Sequence, residues 1–200
     1  MSASSGTVLI TGGSRGIGAA TARLAAQRGF DVCFTYAERH EAAQQVVAEL
    51  QALGRVAHAV QADAGDAQAM ATLLDRLPPL PSPLTALVNN TGVTGPLGPF
   101  AGQEIATFRR VLEVNVLGLM VLTQQVVRRW QAEGTAGAVV NVSSIAASLG
   151  APGEYVHYAA SKAAVEAFTV GLAKELAGQG IRINAVSPGT TLTEIHATAG

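Results

Sequence analysis

Cysteine, charge and aromatic side chains are all scarce in this sequence. A single cysteine, Cys33, stands among 200 residues, which excludes an intrachain disulfide and a cysteine-based metal site and fits a reducing cytoplasm. Charged residues make up only 14% and the net charge is −1, so no basic surface for nucleic acid or an anionic membrane is expected. No apolar run approaches the ~20 residues of a membrane helix. We therefore expect a cytoplasmic globular protein without a bound metal.

Small and apolar residues dominate instead, with 48% hydrophobic content and 22 glycines, enough for one compact domain over residues 1–200. Short apolar runs alternate with stretches of helical periodicity. The predicted strands are Thr7–Ile10, Asp31–Tyr36, Val56–Gln61, Leu84–Asn89, Ala138–Val142 and Ile181–Val186. The predicted helices are Ser14–Arg28, Glu38–Leu53, Asp66–Leu77, Glu104–Gln131 and Tyr158–Ala177. Continuous apolar strands alternating with helices predict an α/β fold, a Rossmann-type doubly wound parallel sheet with helices on both faces.

Two of these helices carry more apolar surface than one sheet can cover. The helix over residues 104–131 is apolar nearly all round, and the helix over residues 158–177 is rich in alanine. A helix that packs on a sheet needs only one apolar stripe. We therefore expect a homodimer or homotetramer that forms through these two helices.

The first predicted strand is followed by a glycine-rich loop that opens a helix. The loop reads Thr11-Gly12-Gly13-Ser14-Arg15-Gly16-Ile17-Gly18. Glycines let the backbone approach a ligand closely, and a helix N-terminus offers free N–H groups and a positive dipole end to phosphate. A Walker loop is excluded, because Ala19-Ala20 stand where that motif requires Lys and then Ser or Thr. The loop therefore predicts binding of a dinucleotide diphosphate.

The same loop also satisfies the G-x-S-x-G pattern of serine hydrolases, with Ser14 as the nucleophile. That motif normally lies deep in the chain, with an acid and then a histidine downstream. Here it follows the first strand, and only His157 and His196 come late enough to serve as the base. A serine hydrolase is the weaker alternative, and a glycine turn that binds no ligand is another.

Further motifs follow in an order that resembles the short-chain dehydrogenase/reductase superfamily. They are Gly12-x3-Gly16-x-Gly18, Asp63-Ala64, Asn89-Asn90-Thr91-Gly92, Val114-Asn115-Val116, Asn141-Val142-Ser143-Ser144, Tyr158-x3-Lys162 and the segment from Arg182 to Gly189. Within the superfamily, Pro152-Gly153-Glu154-Tyr155 is similar to bacterial glucose-dehydrogenase-like and 3-oxoacyl-ACP-reductase-like members. Members are usually longer than this chain, and the resemblance implies that this sequence lacks the C-terminal strand.

The resemblance implies an NADP(H)-dependent oxidoreductase that interconverts a carbonyl and an alcohol by hydride transfer to or from a small-molecule substrate. The implied catalytic residues are Asn115, Ser144, Tyr158 and Lys162. The implied cofactor-binding residues are Gly12, Ser14, Arg15, Gly16, Ile17, Gly18, Tyr36, Arg39, Asp63, Asn90, Gly92, Tyr158, Lys162, Pro188, Gly189 and Thr191. Asp63 would touch the adenine, and Asn115 would kink its helix, although a satisfied buried amide is an alternative for Asn115. A nucleotide sensor without activity is the alternative function.

Tyr158 and Lys162 stand four residues apart, so one face of a helix carries both. A lysine charge at ~5.5 Å favours the phenolate by about 3 kcal/mol, or roughly two pKa units, at an effective dielectric constant of ~20. We therefore expect the pKa of Tyr158 to lie well below its ordinary value, where a phenol serves general acid–base catalysis. Ser144, at the end of a strand, would hold the substrate oxygen.

The choice between NADP and NAD depends on the end of the second strand. NAD-preferring relatives place a carboxylate there for the ribose hydroxyls, whereas this chain has Tyr36. Arg15 and Arg39 can meet a 2′-phosphate, and the alternative is that both are solvated surface arginines. The sequence favours NADP(H) over NAD(H).

Overall fold

A computed structural model, in which residues 5–193 are described, shows strands alternating with helices along the chain. The strands are β1 (Thr7–Ile10), β2 (Asp31–Tyr36), β3 (Ala57–Gln61), β4 (Leu84–Asn89), β5 (Ala138–Val142) and β6 (Arg182–Val186). The helices are α1 (Gly16–Gln27), α2 (His40–Ala52), α3 (Ala67–Ala71), α4 (Ile105–Leu112), α5 (Gly118–Glu133), α6 (Ala146–Leu149) and α7 (Val156–Leu176). Every predicted strand is present within one residue of its predicted bounds.

The six strands form one parallel sheet in the order β3-β2-β1-β4-β5-β6. Alternate residues of β1 enter different cores: Leu9 packs with Trp130 of α5 on one face, and Ile10 packs with Val46 of α2 on the other. Cys33 of β2 is fully buried in the first of these cores. Because both faces are covered, the predicted doubly wound fold is confirmed. The carboxyl ends of β1 and β4 diverge at the switch point where such sheets bind ligands.

The predicted helix over residues 66–77 is shorter than expected. Asp66 caps α3 by accepting a hydrogen bond from the amide of Ala69, but the helix ends at Ala71 and continues only as a 3₁₀ turn over Leu73–Arg76. The two prolines that follow, Pro78 and Pro79, lack the N–H group that a helix needs and force the preceding residue into an extended conformation. The sequence prediction therefore overestimated this helix.

The predicted helix over residues 104–131 is interrupted at its centre. A π-helical turn over Glu113–Leu117 separates α4 from α5 and contains Asn115, where the family resemblance implies a kink. Gly118 begins α5 in contact with the carbonyl oxygen of Ala64, and a side chain there would collide with that oxygen. This close approach seats α5 against the segment that follows β3. No helix in the described range 5–193 is long and apolar enough to span a membrane.

Candidate active site

A cavity of about 500 Å³ opens at the carboxyl ends of the strands, between the glycine-rich loop and the loops after β4, β5 and β6. This volume is in the usual range for a small-molecule site. The predicted cofactor-binding residues that line it are Gly12, Ser14, Arg15, Gly16, Ile17, Tyr36, Arg39, Asp63, Asn90, Gly92, Pro188, Gly189 and Thr191. The predicted catalytic residues that line it are Ser144, Tyr158 and Lys162. Gly18 and Asn115 lie behind its walls.

Gly18 was predicted to bind the cofactor, but it does not line the cavity. A side chain at Gly18 would collide with the carbonyl oxygen of Gly12 and approach Nδ2 of Asn90 to 2.6 Å. Its missing side chain therefore lets α1 begin directly against the glycine-rich loop. Gly18 shapes the loop from behind instead of lining the cavity.

The glycine-rich loop is held in shape by the strand ends beside it. Gly12 and Gly16 have φ values of +67° and +52°, a conformation that side chains disfavour. The Asn90 amide donates to the carbonyl oxygens of Thr11 (2.9 Å) and Gly12 (3.1 Å), and Gly12 N–H donates to Oγ1 of Thr35 at 3.2 Å. The side-chain donors of Asn90 are thus directed to the loop, so Asn90 fastens β4 to β1.

One end of the cavity carries an ion pair that sequence reasoning missed. Arg110 of α4 donates to both carboxylate oxygens of Asp63, at 2.9 and 3.0 Å, and Gly65 N–H donates to the same carboxylate at 2.9 Å. Burial acts to raise the pKa of Asp63, but the hydrogen bonds and the charge of Arg110 outweigh it and the pKa is lowered. Asp63 and Arg110 are 47 residues apart, so the sequence alone gives no sign that they form an ion pair. It fixes the orientation of the Asp63 carboxylate.

The end of β2 forms the neighbouring wall. Tyr36 is buried, and its hydroxyl is hydrogen-bonded to Nδ1 of His40 at 2.7 Å. Arg15 and Arg39 line this end of the cavity together with Glu38. Two positive charges and one negative charge therefore surround the end of β2, and the strand itself ends without a carboxylate.

Lys162 is the most deeply placed charged group of the cavity. It is 3% exposed, its Nζ donates to the carbonyl oxygen of Val142 at 2.8 Å, and burial lowers its pKa to about 8. A side chain at Gly92 would lie 3.2 Å from this Nζ. The glycine after β4 therefore leaves the room that the lysine amine occupies.

Tyr158 lies beside Lys162, with Nζ of the lysine 5.6 Å from the centre of the phenol ring. Burial raises the pKa of Tyr158, the nearby Ser144 hydroxyl lowers it, and neighbouring Tyr155 raises it further, so that the pKa lies above its ordinary value. The expectation of a depressed pKa is therefore wrong for the protein alone. The spacing correctly placed a lysine nearby, but desolvation of the buried phenol has the largest influence on its pKa.

Two serines end β5, and their hydroxyl groups point to different partners. Ser144 lines the cavity with Tyr158, and its Oγ accepts a hydrogen bond from Ala146 N–H at 3.2 Å, whereas the Ser143 hydroxyl faces the carbonyl oxygen of Lys162 (3.1 Å) and a carboxylate oxygen of Glu166 (3.0 Å). Both serines line the cavity, and because the Ser143 hydroxyl is engaged with α7, Ser144 stays the predicted partner of the substrate oxygen.

Asn115 is buried with its amide fully engaged. Its Oδ1 accepts from Val93 N–H at 2.8 Å, and its Nδ2 donates to the Val93 carbonyl oxygen and to Oγ of Ser161, both at 2.9 Å. Ser161 directly precedes Lys162 on α7. Asn115 therefore ties the loop after β4 to the helix that carries the tyrosine and lysine, without lining the cavity itself.

Ser14 is not accompanied by a histidine in the cavity. No histidine of residues 5–193 lines the cavity walls, and Nε2 of His157 is hydrogen-bonded to the carbonyl oxygen of Thr94 at 2.9 Å. His196, the other candidate base, lies outside the described residues. This arrangement disfavours the hydrolase alternative.

Comparison with known proteins agrees with the geometry of the site. Residues 6–200 match the short chain dehydrogenase family. The uncharacterized oxidoreductase YgfF of Escherichia coli is 43% identical over 194 residues, which cover 96% of this chain and 78% of that protein. A 3-oxoacyl-[acyl-carrier-protein] reductase of Synechocystis is 38% identical over 191 residues, covering 94% of this chain and 74% of the reductase.

A solved short chain dehydrogenase from Burkholderia cenocepacia, in complex with NADP, superposes with a TM-score of 0.84 at 38% identity, covering 94% of this chain and 75% of that structure. The chain therefore belongs to the short-chain dehydrogenase family, and it is an oxidoreductase of that family. The resemblance found in the sequence is confirmed.

Proposed function

We propose that this protein is an NADP(H)-dependent oxidoreductase that interconverts a carbonyl and an alcohol. The observation that carries the proposal is that Ser144, Tyr158 and buried Lys162 line one cavity together with the glycine-rich loop, with Nζ of Lys162 5.6 Å from the centre of the Tyr158 ring. The cavity thus places three groups beside the expected dinucleotide site: a general acid (Tyr158), a hydroxyl that can orient the substrate (Ser144) and a buried cation (Lys162). The similar Burkholderia protein is in complex with NADP.

The residues present fit a phosphorylated dinucleotide. The glycine-rich loop lines the cavity at Gly12 and Gly16, and it packs closely against the segment after β4, since a side chain at Gly12 would approach Oγ1 of Thr91 to 2.8 Å. The N-terminus of α1 adjoins the same surface, where helix N–H groups favour a diphosphate. Arg15 and Arg39 supply charge for a 2′-phosphate and outnumber Glu38, while Tyr36 offers no carboxylate to ribose hydroxyls. These features support NADP(H) over NAD(H).

The chain's own residues divide the chemistry between them. The bound cofactor supplies the hydride in the direction of reduction. The Ser144 hydroxyl orients the substrate oxygen towards Tyr158, and Tyr158, whose raised pKa keeps it protonated, donates its proton to that oxygen. Lys162, 5.6 Å from the ring centre, stabilises the phenolate that forms. Positioning and general acid catalysis together account for the role of each group.

Tyr158→Phe tests the proposal. Turnover of a carbonyl substrate with NADPH is expected to fall by about two to four orders of magnitude, the usual contribution of a general acid, because the phenol proton is lost while the ring remains. NADPH affinity, measured by fluorescence titration, is expected to change little. A panel of ketones, sugars and acyl thioesters supplies the substrate.

Tyr155→Phe is the matched control, since Tyr155 packs edge-on against Tyr158 at 5.3 Å but has Ala159 and not a lysine four residues later, so this variant should retain turnover. Full turnover in Tyr158→Phe would contradict the proposal. NADPH binding by the wild type without turnover of any carbonyl would instead favour a nucleotide sensor.

We also propose that the protein forms a homodimer or homotetramer through α4, α5 and α7. Most apolar residues of α5 are buried against the sheet, so this helix leaves less apolar surface exposed than its sequence indicates. Leu112 and Leu117 nevertheless remain 49% and 45% exposed, and Val170 of α7 is 55% exposed. A second copy of the chain would cover these side chains.

A further inference from the structure

Glu166 lies one helical turn after Lys162 on α7 and is half-buried. One oxygen of its carboxylate, Oε1, accepts hydrogen bonds from Oγ of Ser143 at 3.0 Å and from Oγ of Ser187 at 2.6 Å. Ser143 directly follows β5, and Ser187 directly follows β6. A single carboxylate oxygen therefore joins α7 to the carboxyl ends of two neighbouring strands.

These strand ends carry residues of the proposed site. Ser144 follows Ser143, and the cavity-lining residues Pro188 and Gly189 follow Ser187. Backbone bonds extend the pairing of the two strands beyond the sheet, from Ser143 N–H to the Val186 carbonyl at 2.8 Å and from Ile145 N–H to the Pro188 carbonyl at 3.0 Å. Together with these backbone bonds, the bonds from Glu166 to Ser143 and Ser187 form one network at the residues that precede Ser144 and Pro188.

The same set of bonds reaches the backbone of the buried lysine. The Ser143 hydroxyl, which donates to Glu166, also faces the carbonyl oxygen of Lys162 at 3.1 Å. Hydrogen bonds to an ionised carboxylate are shorter and about twice as strong as bonds between neutral groups. The Glu166 carboxylate can therefore hold both serines more firmly than a neutral acceptor would.

We propose that Glu166 is a positioning residue for hydride transfer. It fixes the separation between Ser144, on the substrate side, and the Pro188–Gly189 segment, on the cofactor side, relative to Tyr158 and Lys162. The inference rests on the proposed function, because it concerns the geometry of that same site. Glu166 itself does not line the cavity, so it acts through the serines.

Glu166→Ala is expected to lower kcat for carbonyl reduction at least ~10-fold, since a misplacement of ~1 Å can reduce the rate ~100-fold. The KM for NADPH is expected to rise several-fold. With NADPH deuterated at the transferred position, the isotope effect on kcat is expected to increase, because a distorted site makes the hydride step more strongly rate-limiting. Glu166→Gln keeps an acceptor oxygen but lacks the charge, so it is expected to recover only part of the activity and to lie between Glu166→Ala and the wild type.

Glu175→Ala is the matched control, because Glu175 is an exposed glutamate on the same helix. It should behave as the wild type in kcat, KM and isotope effect. A variant that is only less stable has a smaller active fraction but an unchanged KM and isotope effect. If Glu166→Ala, corrected for its active fraction, shows the wild-type KM and isotope effect, the inference is overturned.

Ser187→Ala supplies a second test that does not depend on the folding of Glu166→Ala, since Ser187 is exposed and small. It should shift KM and the isotope effect in the same direction by a smaller factor. Combining it with Glu166→Ala should add little, because both changes remove the same bond. Additive effects would overturn the inference. A wild type inactive towards every carbonyl, or a fully active Tyr158→Phe, would instead overturn the proposed function.

Discussion

At the scale of single residues, the amine of Lys162 is the group most altered by its surroundings. It is 3% exposed and its pKa is lowered to about 8, because burial penalises the ammonium form. The pKa of Tyr158 moves upwards for the same physical reason. Of the two proton-carrying groups, the lysine is therefore the first to lose its proton as the pH rises.

This order predicts the pH dependence of carbonyl reduction. Reduction needs protonated Tyr158 and charged Lys162, and the lower of the two pKa values limits the active form. We expect kcat/KM for the carbonyl substrate, measured at saturating NADPH, to be constant around neutral pH and to decline above about pH 8. Residual activity in Lys162→Met should show no decline there, and a wild-type profile flat to well above this pH would contradict the assignment.

The Asp63–Arg110 pair makes a prediction about the adenine end of the cofactor. If the oriented Asp63 carboxylate accepts a hydrogen bond from the adenine amino group, Arg110→Ala should weaken NADPH binding. The effect should be only several-fold, since the side chains are 46% and 48% exposed and exposed pairs contribute little. Fluorescence titration with NADPH and with its hypoxanthine analogue, which lacks the amino group, measures it.

The hypoxanthine analogue should lose less affinity than NADPH on this substitution. Arg109→Ala, at the exposed neighbouring arginine of α4, should leave both affinities unchanged. Equal losses for the two nucleotides in Arg110→Ala would mean that the pair does not act through the adenine amino group.

At the scale of elements, the strands could be predicted more accurately than the helices. The central strands β1 and β2 are buried along their whole length, so their apolar runs begin and end with the strands themselves. The π turn over Glu113–Leu117 has no such local pattern, and the family resemblance at Asn115 was its only indication. Contacts such as Asp63–Arg110 and Ser187–Glu166 join residues far apart in sequence, so composition and spacing do not reveal them. Spacing placed Lys162 near Tyr158 but gave no measure of burial, which decides the phenol's pKa.

The π turn predicts a specific loss of stability. Asn115→Leu nearly preserves the side-chain volume but leaves the N–H and carbonyl groups of Val93 without the partner they now have. Each buried unsatisfied group costs about 1–3 kcal/mol, so unfolding in urea should show a loss of a few kcal/mol together with reduced turnover. Gln124→Leu, at an exposed position of α5, should be nearly neutral. Unchanged stability in Asn115→Leu would show that the loop after β4 finds other partners.

At the scale of the whole molecule, the exposed leucines of α4 and the π turn predict self-association. Light scattering at micromolar concentration should give the mass of a dimer or tetramer. Leu112→Arg should shift the protein towards the monomer, because a charge cannot be buried in an apolar interface without a partner. Leu24→Arg is the control, since Leu24 is similarly exposed at 51% but lies on α1. A monomeric wild type would refute this assembly.

The strand order also has a consequence for how the molecule is made. As the chain leaves the ribosome, β1 can pair with β2 at once, but its other edge stays open until Leu84–Asn89 has emerged. Open strand edges are sites of mispairing between nascent chains. The segment with Pro188 and Gly189, which forms the last wall of the cavity, is translated later still. The nucleotide can therefore reinforce the folded state only after almost the whole sheet has been assembled.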